Sequence, residues 1–233
     1  MIKLILKLQV LTLIMLAVPL QAANLNDAYL GMKKKNFHKE FTHLAVMPVV
    51  SAPVVGLPDS MKQLITQEVL KKLAKSKFNT LEPKQVQLIQ DQITNLYPAS
   101  EQKTNVSLIG DHTVRELFFR HPVDGLVSIQ VLAMAAPFAK DKAEWGGTSQ
   151  KIKHSGDGFL AAVTGKSFSG YVAASAIRVV ISDRTGKPVY NWSGGVEVMM
   201  RRNGQKFEAL PKDGLWQNEK RVLKAIKYAL KPI

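Results

Sequence analysis

Residues 171–200 read YVAASAIRVVISDRTGKPVYNWSGGVEVMM, and this stretch decides the fold. Two strand-forming runs, 171–182 and 189–200, flank the hexapeptide Asp183-Arg184-Thr185-Gly186-Lys187-Pro188, so the segment predicts an antiparallel hairpin. The hexapeptide has the chemistry of a tight turn. An aspartate can hydrogen-bond its own backbone, a glycine accepts positive φ, and a proline ends the run.

Working outward, a third strand is predicted over 125–134, with Val127, Ile129, Val131 and Ala133 on one face. LAVMPVV at 44–50 is short and apolar, and the proline-broken segment after it reads as a loop. A short strand fits Phe78 to Leu81. Helices fill the gaps. Ser60 and Gln63 have capping-box spacing, and Met61, Leu64, Ile65, Val69 and Leu73 follow at steps of three and four. Lysines 71, 72, 75 and 77 crowd the last turns of that helix, where cations suit its negative end. Pro83 opens a second helix through Val86, Ile89, Ile93 and Leu96. Asp111 can cap a third, with Val114, Leu117 and Phe118 inward, and Pro122 stops it. A final helix starts at Asn218 or Glu219, with Val222, Ile226, Ala229 and Leu230 facing one way and lysines the other.

The expected fold class is therefore α/β (α+β). A mixed or antiparallel sheet built from 44–50, 125–134, 171–182 and 189–200 is covered by helices at 60–77, 83–96 and 219–231, in two or three layers. One domain spans 43–233, with no repeat at solenoid periods.

The first residues, MIKLILKLQVLTLIMLAVPLQAA, set the compartment. Lys3 and Lys7 precede an apolar run from Val10 to Leu20 and a small-residue exit, the pattern of a cleaved signal peptide over 1–22. The run is shorter than the roughly 20 residues of a spanning helix. An uncut signal anchor is the alternative reading. The chain is thus expected to be exported, to a bacterial periplasm. It holds 32 basic and 18 acidic residues, a net charge of +14, and the signal takes away only two lysines. So basic a chain attracts acidic partners: anionic lipid, an acidic protein surface or nucleic acid, the last disfavoured by export. With no cysteine, disulfides, thiolate zinc sites and an N-terminal lipid anchor on cysteine are all excluded.

Two segments lack periodicity. Residues 23–42 contain Lys33-Lys34-Lys35 and read as a flexible or loosely docked arm. Residues 136–170 hold six glycines and few aliphatics, and read as a long loop or mobile hairpin. Trp145, Phe159 and Phe168 lie in it, either as a buried loop cluster or as a tip that touches a partner or membrane. Those three aromatics and Lys33, Lys34 and Lys35 are the candidate contact residues. The basic terminal helix could likewise lie on an anionic membrane or dock its apolar face on the sheet.

Catalytic patterns are scarce. His38, His43, His112, His121 and His154 include no helical metal pair with a neighbouring glutamate, and His112 and His121 read as surface or cap residues. Neither a G-x-S-x-G elbow nor an S-x-x-K set occurs. The glycines of 146–170 do not join a strand to a helix, so they form no phosphate cradle. Asp183-Arg184-Thr185-Gly186 is similar to the D-K-T-G phosphorylation run of ion-pumping ATPases, but between two strands it reads as a turn. No catalytic residue, cofactor or metal site is predicted. A convergence of Asp111, His112 and Asp124 in one pocket would be needed to suggest a hydrolase.

The order of elements, with Asp124-Gly125 before a strand and Asp183, Thr185, Gly186, Lys187, Val189 and Trp192 around the hairpin, resembles the periplasmic α/β module of CsgG-like curli secretion proteins, the TolB N-terminal domain and related envelope lipoproteins. The likeness covers about residues 43–231 in short pieces. It implies a sheet with helices packed on it and a structural or assembly role in the cell envelope, often in rings, with no catalytic residues. The chain departs from the family in lacking the lipidated cysteine and any clear pair of long alternating membrane strands.

The leading expectation is a non-enzymatic exported protein serving a cell-envelope machine such as a secretion, pilus or flagellar complex. Envelope proteins and further copies of itself would be its partners, and outer-membrane association would run through them. The alternative is a stand-alone binding module for anionic membrane or cell-wall polymer.

Overall fold

The computed structural model describes residues 29–154, 169–203 and 206–233. The chain begins with β1 (Tyr29–Leu30), α1 (Lys34–Glu40), β2 (His43–Val46) and β3 (Val50–Ser51). It continues through α2 (Asp59–Lys75), β4 (Asn79–Leu81), α3 (Pro83–Thr94), α4 (Val106–Arg120) and β5 (Gly125–Ala139). Then come β6 (Lys142–Trp145), β7 (Thr148–Lys151), β8 (Lys153–His154), β9 (Ser169–Asp183), β10 (Pro188–Val198), β11 (Met200–Asn203), β12 (Lys206–Ala209) and α5 (Glu219–Ala229).

The fold is α/β. Its main sheet is mixed, in the order β1-β10-β9-β5-β2-β4, with β3 alongside β5. The β4, β2 and β5 strands are parallel neighbours, and β5, β9, β10 and β1 pair antiparallel. The hairpin forms where the sequence places it. Asp183 Oδ1 accepts the backbone N–H groups of Thr185 and Lys187 at 2.8 and 3.0 Å, and Gly186 takes φ +82°. The β5 and β9 strands run together from the Gly125–Asp183 pair to the Ala139–Ser169 pair, so both are longer than the apolar runs suggest.

Side chains alternate between two cores. On one face Leu44, Val46, Val127, Ile129, Ile177, Val179, Ile181 and Tyr190 meet Ile65, Val69 and Leu73 of α2 and Val222, Ala225 and Ile226 of α5. On the other, Ala45, Met47 and Leu126 meet Val86, Ile89 and Ile93 of α3 and Ile109 and Leu117 of α4. The result is three layers, helices–sheet–helices.

Details differ from the sequence reading. The capping box belongs to α3, where Glu82 and Gln85 bond each other's backbone, while Ser60 sits inside the first turn of α2. The third helix starts at Val106, earlier than Asp111. Part of the expected loose arm is α1, and it is anchored. Phe37 is fully buried, with its ring centroid 4.9 Å from that of Phe41 and 6.0 Å from that of Phe78. Phe37 and Phe41 lie one turn apart, so a single apolar edge docks the segment while its lysines face water.

Within 136–170 the described residues, 136–154 and 169–170, are mostly strand. The β5 strand continues to Ala139, a turn with positive φ at Lys140 and Asp141 leads into β6, and β7 folds back on β6. This hairpin closes over the sheet onto β10: Gly195 N–H donates to Gly146 O at 2.9 Å and Thr148 Oγ1 donates to Gly195 O at 2.8 Å. A third core of Phe138, Trp145, Ile152, Val172 and Val198 fills the space enclosed. Gly194 and Gly195 are pinched between α5 and the Trp145 hairpin, with no room for a side chain on either.

Asp124 ties the parallel strands at one end. Its Oδ2 accepts the backbone N–H groups of Thr42 and His43, both at 2.9 Å, and the Thr42 hydroxyl at 3.0 Å. Burial pushes the Asp124 carboxyl up, but these bonds and the nearby His43 together hold it below its ordinary value. A depressed carboxylate stabilises the fold fully above its unfolded pKa, and that contribution fades as pH falls through the lower folded value. Asp124→Asn is therefore expected to cost about 1–2 kcal/mol at neutral pH and to flatten the loss of stability below about pH 4. Thermal melts at pH 7 and pH 3 check this, and an unchanged acid slope in the variant would contradict it.

Candidate functional site

The fold gathers the chain's positive charge on one helical layer. The α1, α2 and α5 helices pack on the same face of the sheet. With their flanking residues (33–40, 59–77 and 219–231) they carry fourteen lysines and arginines against four acids, Glu40, Asp59, Glu68 and Glu219. Two of those acids are already engaged within the layer: Asp59 pairs with Lys62 at 2.8 Å, and Glu68 lies 3.6 Å from Lys71. On the opposite layer, α3 and α4 are balanced, with Lys84, Arg115 and Arg120 against Asp91, Asp111 and Glu116. That side instead exposes Leu88, Leu96, Leu108 and Phe119, the last 86% accessible. The two helical layers differ: one is cationic, the other balanced in charge with exposed apolar side chains.

Lys33, Lys34 and Lys35 are exposed at the start of α1 and belong to the cationic layer. Trp145 does not act as an exposed tip. It is 3% accessible, and its indole N–H donates to Ser175 O at 3.0 Å, because the β6–β7 hairpin turns it into the third core. Phe159 and Phe168 lie outside the described residues. The structure thus brings the three arm lysines together with helices that the sequence sets far away, and it separates Trp145 from any surface role. No sequence signal links residues 33–35, 71–77 and 220–231. Only their placement on one side of the sheet does.

The α5 helix shows how the layer is built. Val222, Ala225, Ile226 and Ala229 are buried on the sheet, which leaves Lys220, Lys224 and Lys227 exposed outward. Asn218 caps its start by accepting Arg221 N–H, and the Tyr190 hydroxyl donates to Ala229 O near its end. With its apolar face already in use, α5 can offer a bilayer only its charge, not an inserted stripe. No described helix is long and apolar enough to cross a membrane.

The acid and histidine candidates have local partners. The Tyr97 hydroxyl and His112 Nδ1 are 2.7 Å apart, and Asp124 is occupied by Thr42 and His43. Among the described residues no group of three or more His, Cys, Asp and Glu side chains could hold a metal ion. Arg184, next to the turn, lies over the Phe118 ring at 5.7 Å and donates through Nε to Val123 O at 3.0 Å, so it locks the hairpin end onto α4. In the same region Trp192 stacks near Tyr190 at 6.5 Å. The residues that carry the CsgG-like and TolB-like resemblance therefore have structural duties in the turn and sheet. No family model matches the chain, and no curated protein or solved structure matches it either.

Proposed function

We propose that the chain is an exported, non-enzymatic component of a cell-envelope assembly, and that its cationic helical layer is the surface on which an acidic envelope protein docks. The segregation of fourteen cations and only four acids on one layer carries this reading. Fixed charges held on rigid helices steer a partner of opposite sign and fix its orientation. The neutral layer, with Leu88, Leu108 and Phe119 exposed, suits a contact with a further subunit. The signal-like leader supports export, and the charge segregation supports a binding role.

The purified protein, mixed with detergent-extracted envelope from its own host and resolved by size-exclusion light scattering, tests the proposal. A complex of defined mass with an acidic protein should form at low salt. It should be lost when Lys220, Lys224 and Lys227 are changed to glutamine. A complex that the triple variant forms equally well would contradict the role of the layer.

A second reading, binding to an anionic membrane or wall polymer, draws on the same cations. Because the apolar face of α5 is buried, such binding would be purely electrostatic. Pelleting with anionic vesicles should then fall steeply between about 0.1 M and 1 M salt, as the screening length drops from about 10 to about 3 Å. Vesicle binding that persists at high salt would argue against this electrostatic mode.

A further inference from the structure

The described residues do not fully cover the sheet face turned away from the cationic layer. The second core, under α3 and α4, takes Leu126, and the third core, under the β6–β7 hairpin, takes Leu132, Ala174 and Ala176. Between them Ser128, Gln130, Arg178, Val180 and Ser193 remain half-buried. Arg178 is at the middle of this floor. The β9 strand is flanked by β5 and β10, and the register sets Gln130 and Ser193 directly opposite Arg178 on either side. Its Nε donates to Oδ1 of the buried Asn191 at 2.8 Å. Tyr29 pairs with Asn191 at the sheet edge and is one-third exposed.

A half-buried guanidinium without a counter-charge is unusual, because desolvating a cation is costly unless an anion faces it. Arg184, Arg202 and Arg221 each have a carboxylate within 4.0 Å. Arg178 has none among the described residues, and its flanking partners are a neutral amide and a hydroxyl. Asn191 fixes the plane of the group through Nε and leaves the two terminal nitrogens as a fork that matches a carboxylate.

We infer that Arg178 anchors a carboxylate-binding site on this floor, which takes an aspartate or glutamate side chain from an acidic segment of a partner protein. One guanidinium neutralises one carboxylate, whereas a phosphate dianion would keep an uncompensated charge. Gln130 and Ser193 supply neutral donors on either side, and Val180 gives an apolar patch for the stem of the side chain. The site lies across the sheet from α1, α2 and α5, so it does not depend on the cationic layer.

The test uses the purified full-length protein at about 0.15 M salt, where screening is strong. The probe is an acetylated, amidated Ala-Glu-Glu-Ala peptide, with the Arg178 Nε–Hε resonance followed by NMR and affinity by calorimetry. The resonance should shift saturably. Arg178→Gln should weaken binding about tenfold or more, while Arg178→Lys, which keeps charge but loses the fork, should weaken it severalfold. Lys187→Gln, an exposed cation of the β9–β10 turn, should leave affinity within about twofold. If Arg178→Gln does not fold, Asn191→Ala carries the test, since freeing Nε should also weaken binding severalfold. The inference is overturned by an Arg178 resonance that does not move or by Lys187→Gln weakening binding as much as Arg178→Gln. Displacement of the peptide by inorganic phosphate at lower concentration than by acetate would overturn it too.

Discussion

Gly194→Ala should destabilise the protein by about 3 kcal/mol or more, at the upper end for overpacking. A Cβ at Gly194 would run into the backbone carbonyl of Ala225 in α5, and a backbone group cannot rotate aside as a side chain can. Gly195, its neighbour, faces the other way, where a Cβ would lie 2.6 Å from Trp145 Nε1. The pair lets one strand pass between a helix on one face and the Trp145 hairpin on the other. Either substitution therefore separates layers rather than trimming a contact. Gly214→Ala is the control, because nothing lies within 4 Å of its Cβ position. Urea denaturation should show a large drop for Gly194→Ala and little change for Gly214→Ala. Equal stability of the two variants would contradict the close packing of α5 on β10.

The second large effect is expected at the junction of α5 with the sheet. Glu197, 6% accessible in β10, accepts a 2.6 Å bond from Arg221 Nη1 in the first turn of α5. The Ser175 hydroxyl bonds both backbone polar groups of Glu197 at 3.2 Å, which holds the strand in place where its register shifts. Arg221→Ala leaves a buried carboxylate without its counter-ion and should cost about 3 kcal/mol, the low end for a broken buried pair because the arginine is partly exposed. Adding Glu197→Gln should restore part of that loss, since a neutral amide is cheaper to bury than a charge. A double variant less stable than Arg221→Ala would show that the carboxylate is not what suffers. The pair matters beyond stability, because α5 carries Lys220, Lys224 and Lys227 of the cationic layer.

How much of this could be read from the chain follows from the range of each interaction. The hairpin at 169–198 and the helices α2, α3 and α5 were legible because periodicity and turn chemistry are local. The α1 helix was hidden, since only Phe37 and Phe41 mark its apolar edge among lysines. A hairpin is one of two readings that 136–170 allows, but where the β6–β7 hairpin docks is hidden for a different reason. Its glycines resemble a loop, and Trp145 finds its partner Ser175 thirty residues away. The need for Gly194 and Gly195 depends on α5 and Trp145 arriving from opposite sides, which no local pattern encodes. The candidate surface shows the same division. Lys33–Lys35 stood out as a run, yet their union with α2 and α5 exists only in three dimensions. Arg178 offered one faint signal, a lone cation within AIRVVIS, with no hint of Asn191 as its partner.

Cross-linking in intact cells can show whether the cationic layer docks an acidic envelope protein, as proposed. A photoreactive residue at position 227, on the exposed side of α5, should give a discrete protein adduct. The same residue at position 84, on the balanced layer, should not give that adduct. Adducts from position 227 to lipid alone, or the same protein adduct from both positions, would rule out docking of an acidic protein on the cationic layer.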